Sequence, residues 1–179
     1  MVRTKTDYVS NTIKDLLVLK PGIFRDYRGE NVETFDKEYN RISLAHIDEF
    51  RKEKLEFVVD SLSFSRKNVL RGFHGDTKAW KLVQCIQGSI YLVVIDTRKD
   101  SPTFKNIETF TLDDKDRHQV LIPRGCVNAH LCLTDTCTFF YKLTHGYVNP
   151  EDQITVKWND PSYNVKWPIV NPILSLRDS

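Results

Sequence analysis

Short apolar runs that end at turn residues recur along most of this chain. Glycine, proline, or small polar and charged residues close each run, as Gly75-Asp76 does after His74 and Pro123-Arg124-Gly125 does after Ile122. The runs are Leu16–Leu19, Phe57–Phe64, Val69–His74, Trp80–Ile86, Ser89–Asp96, His118–Ile122 and Thr138–Leu143. Many short strands at this spacing are typical of a β-sandwich or barrel. The pattern therefore predicts an all-β core, specifically a jelly roll.

Two segments depart from the strand pattern. Thr34–Lys54 places apolar residues at mixed intervals of three to five in a charged background, which predicts one or two short peripheral helices lying on the sheet. Its apolar positions are Phe35, Tyr39, Ile42, Ile47 and Phe50. Near the C-terminus, Pro161, Pro168 and Pro172 predict an extended tail. No repeat or linker divides the chain, so residues 1–179 are expected to form one domain.

Composition and charge narrow the class of protein. A chain of 179 residues with 40% hydrophobic and 28% charged residues is expected to fold as a soluble domain. The net charge of +2 and the lack of a basic run argue against a nucleic-acid partner. The longest apolar stretch, Ile90–Ile95, is too short to cross a membrane. Four cysteines without an apolar leader at the N-terminus predict reduced thiols and a cytoplasmic location.

Histidine, lysine and tyrosine residues at strand positions are the first candidates for chemistry. His74 ends an apolar strand and becomes a base only if a carboxylate or carbonyl orients its ring. Lys81 either points into the barrel with Val83 or marks an exposed strand start, and Tyr141 taken alone is most simply a core residue. Strict alternation places Arg71 and His74 on opposite faces, so they share a cavity only if the strand is bulged near Gly72.

Alternation also places Asn128, His130 and Cys132 on one face of a strand. A metal site built from His130 with Cys126 or Cys132 is conceivable, but the spacing matches no common ligand pattern. The sequence therefore predicts a site without a metal. Arg25-Asp26-Tyr27-Arg28-Gly29-Glu30 is either a salt-bridged turn or an anion site, with Glu33 close behind it.

Several ordered motifs resemble the dTDP-4-dehydrorhamnose 3,5-epimerase family, and the resemblance runs from about residue 15 to the last residue. They include Arg25–Gly29, Asn68–His74, Lys81–Val83, Asp96–Phe104, Ile122–Gly125, Phe140–Lys142, Trp158–Pro161, Trp167-Pro168 and Leu174–Asp178. The resemblance implies a cupin-type jelly roll that epimerises a nucleotide-diphospho-4-keto sugar with no metal or other cofactor. Family members typically form homodimers in which N-terminal strands are shared across the interface.

The resemblance also implies roles for individual residues. His74 matches the base, Asp178 the carboxylate that orients it, Tyr141 the acid on the opposite face of the sugar, and Lys81 the group near the enolate. Positions that line the nucleotide-sugar site are matched by Arg28, Glu33 and Arg71.

This sequence departs from the usual family pattern in three places. The segment between His74 and Lys81 is short, Asn128 and His130 replace the family's second histidine and an aromatic residue, and Val59 and Ser61 replace polar residues associated with dTDP. Asn128 and His130 are thus expected to contact substrate. These departures argue against a dTDP nucleotide. The motifs Arg71–Asp76, Asn128–His130 and Asn171–Asp178 more closely resemble a branch of the family that acts on GDP-4-keto-heptose for capsular polysaccharide, and we favour that branch.

Alternatives to that substrate remain open. The substrate is otherwise a dTDP- or CDP-4-keto-6-deoxyhexose, and the enzyme inverts C3 and C5 or only one of these centres. A 3,4-ketoisomerase is a lesser alternative within enzymes. A sugar-binding jelly roll without activity is the alternative from another class, because fold alone does not establish catalysis.

Overall fold

The computed structural model describes residues 7–36, 44–45, 47–147 and 149–179. The described part of the chain forms thirteen strands, one α-helix and one short 3-10 helix at Pro150–Asp152. The elements are β1 (Tyr8–Val9), β2 (Leu17–Leu19), β3 (Ile23–Asp26), β4 (Gly29–Val32), α1 (Asp48–Glu53), β5 (Val59–Arg66), β6 (Leu70–Asp76), β7 (Lys81–Gln87), β8 (Ser89–Asp96), β9 (Ile107–Asp113), β10 (Gln119–Ile122), β11 (Cys126–Cys132), β12 (Thr136–Leu143) and β13 (Gln153–Thr155).

Two antiparallel sheets face each other, as the jelly-roll prediction requires. One sheet has the order β1-β2-β10-β7-β12-β5 and the other has the order β13-β6-β11-β8-β9. The β3–β4 hairpin forms a separate two-stranded sheet. The predicted all-β, cupin-type class is therefore confirmed.

Apolar side chains fill the space between the sheets and also cover both outer faces. The inner cluster includes Val83, Leu92, Val94, Val120 and Phe139. Because the sheets are buried on both sides, β11 has seven buried residues in succession and β8 contains the run Leu92–Asp96 with no exposed position. Alternation along these strands therefore distinguishes two packed faces and not a core face from a solvent face.

The segment before β5 covers the outer face of the six-stranded sheet. Phe50 of α1 packs on Trp80, with ring centroids 4.9 Å apart, and both side chains join Leu82 and Leu121 in one cluster. The described helix has six residues and lies within the segment for which one or two short helices were predicted. Tyr39 and Ile42, which belonged to that prediction, lie outside the described residues.

The extended C-terminal tail covers the outer face of the five-stranded sheet. Trp158, Val165, Trp167 and Leu174 pack against the outward side chains of β6, β8 and β11. The tail then runs beside β6, where Ile173 forms a parallel bridge with Val69. This path brings the last residues of the chain to the side of β6, and the tail is extended as predicted.

Candidate active site

A bulge in β6 brings two predicted site residues to one side of the strand. His74 pairs with Asn128 of β11 and Arg71 pairs with His130, so Gly72 and Phe73 together oppose a single residue, Ala129. This extra residue reverses the alternation between Arg71 and His74. The Arg71 guanidinium donates to Ser65 Oγ at 2.9 Å and to the Phe64 carbonyl at 3.2 Å, both on β5 of the opposite sheet. The bulge expected near Gly72 is thus present.

The C-terminal tail supplies a carboxylate to His74. Asp178 Oδ1 lies 2.9 Å from His74 Nε2, and the Gly72 amide approaches Asp178 Oδ2 at 3.4 Å. The side chain of Asp178 is nearly inaccessible, with 5% of its surface exposed. A carboxylate this close to Nε2 favours the neutral tautomer that carries its proton on Nε2, which leaves the lone pair on Nδ1. His74 Nδ1 is buried and has no hydrogen-bond partner within the described ranges.

Lys81 and Tyr141 enter the same space from the six-stranded sheet. Tyr141 lies directly opposite Val83 across β12 and β7, which places Lys81 on its diagonal on the same face. The Lys81 ammonium lies 5.6 Å from the centre of the Tyr141 ring and donates to Asn128 Oδ1 at 3.0 Å. Lys81 therefore points into the barrel, which resolves the two orientations that the sequence left open.

Asn128 and His130 lie on the inner face of β11, because Val127, Ala129 and Leu131 pack in the outer cluster. The His130 ring stacks on Phe139 with centroids 4.1 Å apart, and His130 Nε2 is buried without a hydrogen-bond partner in the described part of the chain. Neither Phe139 nor Ser65 is among the predicted site residues. The alternating serines at 61, 63 and 65 were the available signal for a polar inner face on β5.

Burial and nearby positive charge lower the pKa values of the basic groups in this cavity. Burial lowers the pKa of Lys81 to about 8, against the opposing effect of Asp76. Burial also lowers the pKa of His74, and the Asp178 carboxylate opposes this effect while Arg177 and Lys81 add to it. His130 is the most affected, since burial together with Arg71, Lys81 and His74 lowers its pKa to about 3. The cavity thus favours neutral imidazoles.

The remaining two predicted site residues lie on or beside the β3–β4 hairpin. Arg28 is exposed and forms a salt bridge with Asp26 at 2.6 Å, and Glu33 follows β4 in an exposed position. Arg117 contacts Glu30 of the hairpin, which ties it to the connection between β9 and β10. Within one chain the hairpin is a separate sheet, so the roles of Arg28 and Glu33 in binding stay predictions.

Within residues 7–36, 44–45, 47–147 and 149–179, no group of three or more His, Cys, Asp or Glu side chains is placed to hold a metal ion. Over the same ranges, no helix has the length and apolar character needed to cross a membrane.

Known proteins with similar sequences and structures match nearly the whole chain. The family model for dTDP-4-dehydrorhamnose 3,5-epimerase matches residues 10–179. A dTDP-4-dehydrorhamnose 3,5-epimerase from Shigella flexneri is 34% identical over 173 residues, covering 95% of this chain and 91% of that protein.

Two solved structures are similar over almost the same extent. A dTDP-6-deoxy-D-glucose-3,5-epimerase from Legionella pneumophila, in complex with dTDP-4-keto-L-rhamnose, has a TM-score of 0.86 at 29% identity, covering 98% of this chain and 90% of that chain. A dTDP-4-dehydrorhamnose 3,5-epimerase from Bacillus anthracis, with TDP and PPi bound, has a TM-score of 0.85 at 31% identity, covering 98% and 97%.

These similarities, together with the fold, define the class: the protein is an isomerase that epimerises a nucleotide sugar on a cupin-type jelly roll. Its sequence matches one family along nearly its whole length. The chain belongs to the dTDP-4-dehydrorhamnose 3,5-epimerase family.

Proposed function

We propose that this chain catalyses metal-independent epimerisation at C3, C5 or both of a nucleotide-diphospho-4-keto sugar. The observation that carries the proposal is the 2.9 Å contact between His74 and Asp178, in a cavity that also holds Lys81 and Tyr141. A ketone at C4 acidifies the neighbouring C–H bonds, because the electrons left by the proton are delocalised as an enolate. Inversion then needs one group to remove the proton and another to return it from the opposite face.

His74 is the proposed base. Its Nδ1 lone pair takes the proton from carbon, and the imidazolium that forms keeps its Nε2 proton directed at Asp178. The electron pair of the broken C–H bond moves into the enolate, whose negative C4 oxygen is stabilised by the Lys81 ammonium. The low pKa of His74 keeps the ring neutral, and therefore able to accept a proton, at neutral pH.

Tyr141 is the proposed acid. It belongs to the six-stranded sheet and His74 to the five-stranded sheet, so a sugar ring between the sheets has one of these side chains on each side. The Tyr141 hydroxyl gives its proton to the carbon from the face opposite His74, and the enolate electrons form the new C–H bond. The ketone is regenerated with inverted configuration.

For the substrate, we favour GDP-4-keto-heptose, used for capsular polysaccharide. The support comes from the departures at Asn128 and His130, which put an amide and an imidazole on the inner face of the barrel. A dTDP- or CDP-4-keto-6-deoxyhexose is the alternative, and the Legionella and Bacillus structures hold dTDP-4-keto-L-rhamnose and TDP. We place the enzyme in the cytoplasm, because its four buried cysteines are all free thiols.

We further propose that the enzyme is a homodimer without nucleic-acid or membrane partners. On the edge strand β5 a polar side chain faces inward and apolar side chains face outward. Ser65 is buried toward Arg71, whereas Leu62 and Phe64 have 65% and 54% of their surfaces exposed. Apolar side chains on an exposed edge strand favour association with another chain. A second copy of this chain is the partner that fits the family.

Deuterium incorporation from D2O, followed by NMR, tests the activity. The purified protein is offered GDP-4-keto-heptose and dTDP-4-keto-6-deoxyglucose in parallel, with and without EDTA. We expect deuterium at C3, C5 or both, unaffected by EDTA, and faster with the heptose. Exchange restricted to the dTDP sugar would reject the heptose preference. No exchange with either sugar would reject the proposed substrates and leave a binding protein as the simplest interpretation.

Variants of the proposed base and acid test their roles. His74→Asn should slow exchange by about 100- to 10,000-fold, the usual contribution of a general base, while nucleotide binding is retained. Tyr141→Phe should block turnover at the carbon that Tyr141 protonates. His118→Asn and Tyr91→Phe are matched controls outside the inner cluster and should behave as wild type. Wild-type exchange in His74→Asn would reject the base assignment.

Light scattering tests the dimer. The wild-type protein should have twice the mass of one chain at micromolar concentration, and the double variant Leu62→Asp/Phe64→Ser should be monomeric. Val170→Ser, at a position that is 84% exposed on the tail, is the control for a lost apolar surface residue. A wild-type monomer, or a double variant that remains dimeric, would contradict this interface.

A further inference from the structure

The orientation of the Asn128 amide is determined by its neighbour. Its Oδ1 accepts a hydrogen bond from Lys81 Nζ at 3.0 Å. A lysine ammonium carries three N–H donors and no acceptor, so the oxygen of the amide, and not its nitrogen, must face Lys81. The two amide hydrogens on Nδ2 are therefore directed elsewhere.

Those amide hydrogens have no protein acceptor in the described part of the chain, where the contact with Lys81 is the one hydrogen bond of the Asn128 side chain. Asn128 is only 6% exposed and lies on the inner face of β11, directly opposite His74 in the strand register. Asn128 Nδ2 is not among the fully buried side-chain atoms that lack a partner in the described part of the chain, so its two N–H donors remain accessible. An accessible, unpaired donor between the proposed base and Lys81 is suited to an oxygen of the substrate.

We propose that Asn128 Nδ2 and Lys81 Nζ together form a two-donor site for the C4 oxygen of the keto sugar, and that Asn128 Oδ1 holds the lysine in place. This inference rests on the proposed function of the same cavity. As the proton leaves carbon, negative charge develops on the C4 oxygen, and two fixed donors stabilise it more than they stabilise the ketone. Each such donor contributes about 100- to 1000-fold to the rate of related reactions.

The amide also differs chemically from the histidine that the family usually has at this position. It donates at every pH and adds no positive charge beside Lys81, whose pKa burial already lowers to about 8. Asn128 thus supplies a donor while leaving Lys81 charged at neutral pH.

Two substitutions at Asn128 should both slow the reaction but shift its alkaline pH limb in opposite directions. Asn128→Asp has the same shape but loses both amide donors and places a carboxylate beside Lys81. Asn128→Leu loses the donors and also the acceptor for Lys81. Both should slow deuterium exchange at saturating substrate by at least about 100-fold, with KM changed only a few-fold. The alkaline limb of the pH profile should move to higher pH with Asp and to lower pH with Leu.

The chain offers a matched control and a conservative rescue. Asn164 in the C-terminal tail also accepts a hydrogen bond from a lysine, Lys166, at 2.9 Å, so Asn164→Asp repeats the chemical change outside the cavity and should exchange at the wild-type rate. Asn128→His retains an N–H donor and should remain within about tenfold of wild type. Circular dichroism and thermal melts establish that each variant is folded.

The outcomes separate this inference from the proposed function. If the wild type exchanges deuterium and both Asn128→Asp and Asn128→Leu exchange within threefold of it, the two-donor site is wrong. Equal shifts of the alkaline limb in the two variants would also reject it. If the wild type exchanges with neither sugar, the proposed substrates fail instead. In that case, NMR titration of 15N-labelled Lys81 tests the contact between Lys81 and Asn128. A higher pKa of Lys81 in Asn128→Asp than in the wild type supports the contact, and an unchanged pKa rejects it.

Discussion

Burial moves the pKa values of two cavity side chains in the same direction and limits the pH range of the proposed reaction. His74 must be neutral to accept a proton, and its pKa lies below the usual 6.5. Lys81 must be charged to stabilise the enolate, and its pKa is about 8. Raising the pH past the pKa of His74 makes the base neutral and active. Raising it past the pKa of Lys81 removes the charge that stabilises the enolate.

The rate of deuterium exchange should therefore follow a bell-shaped pH profile. We expect the acid limb below pH 6.5 and the alkaline limb near pH 8. Asp178→Asn removes the negative charge that raises the pKa of His74, so the acid limb should move to lower pH while the maximal rate falls. A rate that stays constant from pH 7 to about pH 10 would show that Lys81 does not act as a charged group.

At the scale of the element, the bulge in β6 allows one strand to place two side chains, Arg71 and His74, on the cavity side. Gly72 adopts φ +113°, which side chains rarely tolerate, and a Cβ atom there would lie 2.6 Å from the carbonyl oxygen of Asn128 and 2.9 Å from Ala129 Cα. The glycine is thus required by the backbone conformation and also by close contact with β11.

Gly72→Ala should lower both stability and activity. The strained conformation alone costs about 1–3 kcal/mol of the free energy of unfolding, and the displaced strand would shift His74 and Asn128. Gly88→Ala is the control, since Gly88 has φ +76° and a Cβ there would collide with Thr136, in a turn that lies away from His74. Urea denaturation should show both variants destabilised, but deuterium exchange should fall only in Gly72→Ala. Equal exchange rates would contradict the role of the bulge.

At the scale of the whole molecule, the C-terminal tail both packs on the five-stranded sheet and places a carboxylate beside the proposed base. Trp167 packs on Phe73 and Tyr91, with ring centroids 5.7 and 5.9 Å away, and its Nε1 donates to the Trp158 carbonyl at 2.9 Å. The same tail ends at Asp178 beside His74. Packing on the outer face of the sheet therefore determines whether the inner cavity has an oriented base.

Trp167→Ala should release the tail and lower the free energy of unfolding by about 3 kcal/mol, as expected for loss of a large packed aromatic side chain. Exchange should fall in parallel, because Asp178 no longer orients His74. Limited proteolysis should cleave the tail faster in this variant than in Val170→Ala, where an exposed side chain of the same segment is truncated. An intact tail with wild-type exchange in Trp167→Ala would contradict this coupling.

Each of the seven predicted apolar runs corresponds to an observed strand. Residues 89–96 were predicted from the sequence and form β8 without change, and Val69–His74 lies within one residue of the start of β6. The short strands β1, β3, β4 and β13 were not predicted. The seven-residue edge strand β9 was also missed, because four of its residues are Glu, Thr or Asp and it forms no continuous apolar run. Such strands form only when a neighbouring strand supplies hydrogen-bond partners.

The sequence by itself determined the class of fold, the extended tail and the residue types available for proton transfer, since each follows from local patterns or from family motifs. Only the tertiary structure decided that Lys81 points inward onto Asn128 and that a bulge puts Arg71 and His74 on one side of β6. The family motifs already implied that Asp178 orients His74, and the structure adds the 2.9 Å distance between the two side chains. Local periodicity specifies which residues share a face of one strand. Contacts between distant segments depend on sheet order, register and packing, which no single segment encodes.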